Sequence, residues 1–223
     1  MGMITGPVMV AIMAIDPVLT LAQWFSPAYP VGAFAYSHGL EQAIADGDVT
    51  DTASLQAWIK AVLHHGAGRN DALFLAASYH GPDPAVIDAH LRAFASSKER
   101  LMEADLLGRA FAQITASLTG HDLSHLTYPV AVGRAAALVD LPIELTTAMF
   151  LQAFVSSLVS VGQRLIPIGQ TDGQTIIAAL AADCQQIARD TEGGDLSDLS
   201  STAFLSDIAA MRHETLTSRV FRT

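Results

Sequence analysis

Gln163, Arg164, Gln170, Asp172 and Gln174 fall within a short polar stretch that follows an interval, Leu145 to Gln163, without a single charged residue. A guanidinium, a carboxylate and several amides at this density could line a polar passage, such as a water-lined route for an ion, or form a docking surface framed by apolar helices. Converging in a pocket closed within one chain, Arg164, Gln170, Asp172 and Gln174 would make the site of a helical enzyme. Arg164 cannot be both buried and unpaired, because desolvating an isolated charge is prohibitive. Its candidate partners are Asp172, Glu144 or a residue of another chain. A structural network that fixes how two helices cross is the plainer reading of the same residues, and spacing alone leaves both open.

Other chemistry finds little support. There are eight histidines and one cysteine. His121 and His125 stand at i,i+4 but in a Gly/Pro-bounded turn, with Asp122 between them. His64 and His65 are adjacent, so on a helix they point about 100° apart. His213 and Glu214 lie near the end of the chain. A resident soft or borderline metal calls for a denser Cys/His group. Cys184 has no basic neighbour to make it a thiolate. Its helical spacing with Leu180, Ile187 and Ala188 describes a buried small hydrophobe. One cysteine also excludes an internal disulfide. Neither a phosphate-cradling Gly-x-x-x-x-Gly-Lys loop nor Gly-x-Gly-x-x-Gly nor His-Glu-x-x-His occurs.

The elements that must position these residues are helical. Asp16-Pro17 and Asp83-Pro84 pair an N-cap with a first-turn proline, and Thr50 or Asp51 and Asn70 or Asp71 supply further caps. Apolar residues recur at helical spacing behind each, as in Leu55, Trp58, Ile59 and Val62. The run 98–105 is amphipathic, and Arg100 and Glu103 are expected on a solvated face. Asp140 and Pro142 open a long uncharged helix that Pro167 must break, because proline removes a donor and clashes four residues back. Thr171 and Gln174 have capping-box spacing for a restart, and Ser206 or Asp207 caps a last helix. No segment has strand periodicity. The expectation is an all-α, single-domain bundle of about ten helices spanning 1–223, its central uncharged helix broken at Pro167. Segment 190–205, acidic and rich in Ser and Gly, reads as a mobile surface loop.

The 223 residues are 51% hydrophobic and only 15% charged, so apolar surface is available for partners. A net charge of −10 argues against nucleic acid, which needs a basic patch. Residues 1–15 are apolar but lack the basic n-region of a signal peptide and are too short to span a bilayer. Residues 145–163 are long enough, but their Thr, Ser and Gln content suits a buried helix rather than lipid. The expected location is the cytoplasm, with no membrane.

Three stretches carry a family resemblance. Gln163-Arg-Leu-Ile-Pro-Ile-Gly-Gln-Thr-Asp-Gly-Gln174 resembles the R-L-(V/I)-P-(L/I)-G-Q-x-x-x-Q signature of the urease accessory protein UreF family, placing Arg164, Pro167, Gly169, Gln170 and Gln174 on it. Ser26 to Glu41 resembles that family's S-P-x-x-P-(V/I)-G box through Pro30, Gly32, Phe34, Tyr36, Gly39 and Glu41. The final residues, with Arg212, His213, Glu214, Arg219, Phe221 and Arg222, resemble its M-x-H-E…R-L-F terminus, Val220 standing where leucine is usual. The Arg/Glu-rich run before Gly108 is weakly similar to a further family segment.

The resemblance implies an all-α homodimer without enzymatic activity. Such a protein bridges a second accessory protein (UreD, also called UreH) and the nickel-carrying GTPase UreG. That complex loads nickel into apo-urease with GTP hydrolysis, so nickel and GTP are handled by the partners and no cofactor is bound stably. All the motif residues just named, with Asp172, become candidates for partner or dimer contacts. Segment 212–223 becomes a docking tail that could order against the loop 27–36, an arginine stacking on Phe34 or Tyr36. Arg164 or Arg219 could reach a bound GTPase as an arginine finger, and regulation of that enzyme is a role proposed for the family. A nickel-binding chaperone in its own right is the remaining alternative.

Overall fold

Asp16 accepts a hydrogen bond from the Leu19 amide at 3.0 Å, and Pro17 follows it, so the first helix starts where an orphan donor is covered and a proline costs nothing. The computed structural model describes residues 16–223, and the apolar segment 1–15 lies outside them. Among the described residues there are ten α-helices and no strands: α1 (Pro17–Trp24), α2 (Leu40–Ala45), α3 (Thr52–His65), α4 (Ala67–His80), α5 (Pro84–Phe94), α6 (Lys98–Thr119), α7 (Tyr128–Leu138), α8 (Ile143–Leu165), α9 (Gln170–Asp190) and α10 (Phe204–His213). The all-α bundle expected from periodicity is what forms.

α8 is the axis. It is long and apolar enough to cross a membrane by composition, yet Phe150, Leu151, Val155, Leu158 and Val159 are buried against neighbouring helices. Two of its hydroxyls bond back to the helix itself, Thr146 donating to the Pro142 carbonyl and Ser156 to the Gln152 carbonyl, each at 2.8 Å. α9 runs back along α8 after the break at Ile166–Ile168, and its buried face is Gly173, Ile176, Leu180, Cys184 and Ile187. α4 and α7 meet so closely that a methyl group added at Gly133 would lie 2.0 Å from the Leu75 carbonyl oxygen.

Several expected boundaries move. α9 begins at Gln170, not behind a Thr171 cap, because Asp172 accepts from the Gly169 amide at 3.0 Å. Asn70 and Asp71 do not open α4. That helix starts at Ala67, freeing the Asn70 amide to donate to the Ser200 carbonyl at 2.7 Å. α10 starts at Phe204 because Ser206 and Asp207 bond backward, to the Ala203 carbonyl and the Ser201 hydroxyl. Segment 190–205, expected as a mobile loop, is tied along α4. Arg69 donates to the Asp198 carbonyl at 2.7 Å, and the His65 carbonyl accepts from Thr202 and Ala203.

Candidate partner-docking surface

The first part is the loop between α1 and α2. Pro27 and Pro30 forbid a helix, and Gly32 takes φ +81°, a conformation glycine adopts without strain. Tyr29 turns inward, its hydroxyl 2.7 Å from the Thr115 hydroxyl and its ring against Phe111. Tyr36 is buried too, while Phe34 stays 45% exposed. Beside Phe34 lies a groove of about 290 Å³, lined among others by Trp24, Phe25, Val31, Met149 and Gln152. Gly39, at φ +76°, brings α2 against the backbone of α10, where a Cβ would come within 2.5 Å of the Ala210 nitrogen.

The second part is the segment after α10, a strap that lies across this loop. The Arg222 amide donates to the Ala35 carbonyl, and the Ser37 amide to the Thr223 carbonyl, each at 2.7 Å. Phe221 is 3% exposed and joins the main core. Glu41 clamps the strap from α2, accepting from the Val220 amide at 2.6 Å and the Phe221 amide at 2.9 Å. Glu99 of α6 holds it from the other side through Arg219 at 2.7 Å. Between the two carboxylates sits His213, wholly buried, with Nε2 3.1 Å from Glu41 and Nδ1 2.7 Å from Glu99.

A second buried cluster underlies the loop. His38 Nε2 is 2.7 Å from Glu103, and Arg100 is 2.8 Å from Glu103 and 3.5 Å from Asp71. Burial, with Arg100 adding to it, holds the imidazole of His38 below its usual range. Burial pushes Asp71 up to about 6, against the weak pull of Arg100. Burial works against ionisation of Glu103 as well, but His38 and Arg100 outweigh it and hold that carboxyl at about 2. Thr223 ties the strap to this cluster through its hydroxyl, 3.1 Å from Glu103. Burial and Glu103 raise Tyr36, while the nearby Arg222 opposes them. The solvated face expected for Arg100 and Glu103 is therefore wrong: they face inward because Asp71 and His38 wait there. Asp71 read only as a candidate helix cap, and Glu99 and the paired state of His38 gave no sequence signal beyond the i,i+3 spacing of Arg100 and Glu103 in α6 and the motif around Ser37.

The polar stretch 163–174 does not converge. Arg164 is exposed, donates to the Phe34 carbonyl at 3.3 Å and lies 5.6 Å over the Phe221 ring. Neither Asp172, which caps α9, nor Glu144, 3.6 Å from Arg189, is its partner. Gln163 reaches Gln170 and the Gly169 carbonyl, and Gln174 is exposed. The arginine over an aromatic is thus Arg164 on Phe221, not a tail arginine on Phe34 or Tyr36. Arg212 pairs with Asp46 at 3.3 Å, and Glu214 caps the Lys98 amide at 3.0 Å. Pro30 and Pro167 shape their turns and are exposed.

Among the described residues, no three or more His, Cys, Asp or Glu side chains gather as for a metal ion. His64 is engaged by Asp183 at 2.7 Å. Burial pushes the Cys184 thiol up to about 12, leaving it a packing residue. What remains is a surface: exposed Phe34, Val220 and guanidinium groups of Arg164, Arg219 and Arg222, set on the seam of loop and strap.

A family model described as UreF matches residues 49–181. The urease accessory protein UreF of Ruegeria pomeroyi is 56% identical over 209 residues, covering 92% of this chain and 96% of its own length. That of Roseobacter denitrificans is 50% identical over 214 residues, covering 95% and 96%. That of Jannaschia is 43% identical over 206 residues, covering 92% and 94%.

Proposed function

Since the chain belongs to the UreF family of urease accessory proteins, we propose that it matures urease as a non-enzymatic scaffold, bridging UreD/UreH and the GTPase UreG while nickel is inserted into apo-urease. Nickel and GTP are then handled by the partner complex in the cytoplasm, and the scaffold works as a homodimer. The observation that carries this reading is the seam of loop and strap. It presents Phe34 and Val220 with Arg219 and Arg222 in one neighbourhood, the aromatic and guanidinium composition of an interface hot spot. Arg164 and Arg219 are already engaged, by the Phe34 carbonyl and Glu99, so each would have to leave a partner to act as an arginine finger. Regulation of the GTPase through the seam as a whole fits them better. The enzyme reading of Arg164, Gln170, Asp172 and Gln174 loses its basis because their side chains diverge.

The test is co-purification of UreD and UreG with the full chain, with and without GTP, against the double variant Val220→Asp, Arg222→Glu. Both residues are exposed, so helicity by circular dichroism stays unchanged while partner recovery falls sharply. Undiminished recovery overturns the reading.

A further inference from the structure

The groove of about 290 Å³ beside Phe34 is lined by no charged side chain at all. Ala22 and Phe25 of α1 form one wall and Met149 and Ala153 of α8 another, and the polar groups on it are amides and hydroxyls such as Gln152 and Ser156. Such a groove selects an occupant without charge, because a charged group placed there would lose its water and find no partner.

A track leads into the groove from the start of α1. Val18, Leu19, Ala22 and Phe25 fall at i, i+1, i+4 and i+7, so they share one face of that helix. Val18 is 58% exposed and Leu19 70%, while Leu21 and Trp24 bury the opposite side. Among the described residues nothing covers this apolar face, which is open along the first turn of α1 and continues into the groove along the last.

The chain itself supplies a matching segment. Residues 1–15 join α1 at its N-cap, Asp16, and contain no charged side chain and a single hydroxyl, that of Thr5. The helix rises about 12 Å from end to end, whereas a chain of that length extends to about 50 Å. The segment can therefore turn back along α1 and still lay several aliphatic side chains in the groove. Being tethered, it also competes at a high effective concentration against anything arriving from solution.

We propose that residues 1–15 fold back over Val18, Leu19 and Ala22 and seat in the groove beside Phe34, covering it until a partner displaces them. The seating stands on the groove and the segment alone; the displacement rests on the docking role proposed above.

The experiment places a nitroxide at Thr5→Cys in the full chain. Burial pushes the Cys184 thiol up to about 12, so the label attaches at position 5 alone. The expected result is a paramagnetic loss of about twofold or more in the amide signals of Gln152, Ala153 and Ser156, relative to the reduced label. Ile12→Glu sets a charge against the uncharged groove and should restore those signals. Both substitutions precede every described helix, so neither replaces a residue of the bundle. Undiminished groove signals in the labelled chain overturn the proposal, as does a loss that survives Ile12→Glu. A loss that appears in an isotope-labelled chain mixed with nitroxide-bearing chains without isotope also overturns it, because the occupant is then a second copy. Recovery of UreD and UreG should rise several-fold with Ile12→Glu. Recovery that stays unchanged while the label behaves as stated supports the seated segment and counts against the docking role instead.

Discussion

Phe221→Ala asks whether the strap is held by one anchor. The ring is 3% exposed within the main core and lies under Arg164. Truncating a buried phenylalanine costs about 3–5 kcal/mol, and the lost stacking adds about 0.5–1. The remaining attachments are modest. The two amide bonds to Glu41 and the Thr223 hydroxyl bond to Glu103 contribute about 1.5–3 kcal/mol each, the backbone bonds at Ala35 and Ser37 about 1 each, and the half-exposed Arg219–Glu99 pair less than about 1. Against them stands an ordering cost of about 1–2 kcal/mol for every non-helical residue from Thr215 onward. The strap without its anchor is therefore near or below balance, and it should detach while the bundle stays folded. Hydrogen exchange reads this directly. Amides 220 and 221 should lose nearly all protection, those in the middle of α8 should keep theirs, and the main thermal transition should barely move. Protected amides at 220 and 221 in the variant would refute the reasoning, as would a global loss of several kcal/mol, which would mean that the strap is a structural part of the core.

Asp71 and Glu103 give the stability curve opposite limbs. Glu103, held at about 2, stabilises the fold above its ordinary value of 4.5 and loses that contribution as pH falls toward 2. Asp71, raised to about 6, is best tolerated when protonated, so its contribution is complete below 3.8 and is lost as pH rises through 6. Asp71→Asn should therefore stabilise the protein at neutral pH by up to about 3 kcal/mol and by nothing near pH 4. Denaturant titrations at the two pH values measure it, and an equal effect at both contradicts the assignment. Gly133→Ala drives a methyl group into the Leu75 carbonyl and should destabilise the α4–α7 contact by several kcal/mol or abolish soluble expression. A melting temperature within a few degrees of the unaltered chain would show that this contact can give way.

Much of the bundle is legible in the sequence because its caps and breakers act locally. Asp16-Pro17, Asp83-Pro84 and Pro167 each need only the chemistry of their own turn. Elements whose caps are recruited from afar read less well. Asn70 is a good N-cap residue, but its amide satisfies a carbonyl from 130 positions away, and α4 starts elsewhere. The seam was legible as motif residues and not as an arrangement. Glu41, His213 and Phe221 stand in two matched stretches at opposite ends of the chain, and no spacing rule says that they touch. Arg100 and Glu103 misled for the same reason. An ion pair at i,i+3 looks solvated unless the partners behind it, His38 and Asp71, are known.

The most direct measurement is a hydrogen-exchange footprint of the full chain, alone and with purified UreD and UreG. The docking account predicts added protection centred on residues 31–37 and 214–223. Protection confined to other helices, with loop and strap unchanged, would contradict it.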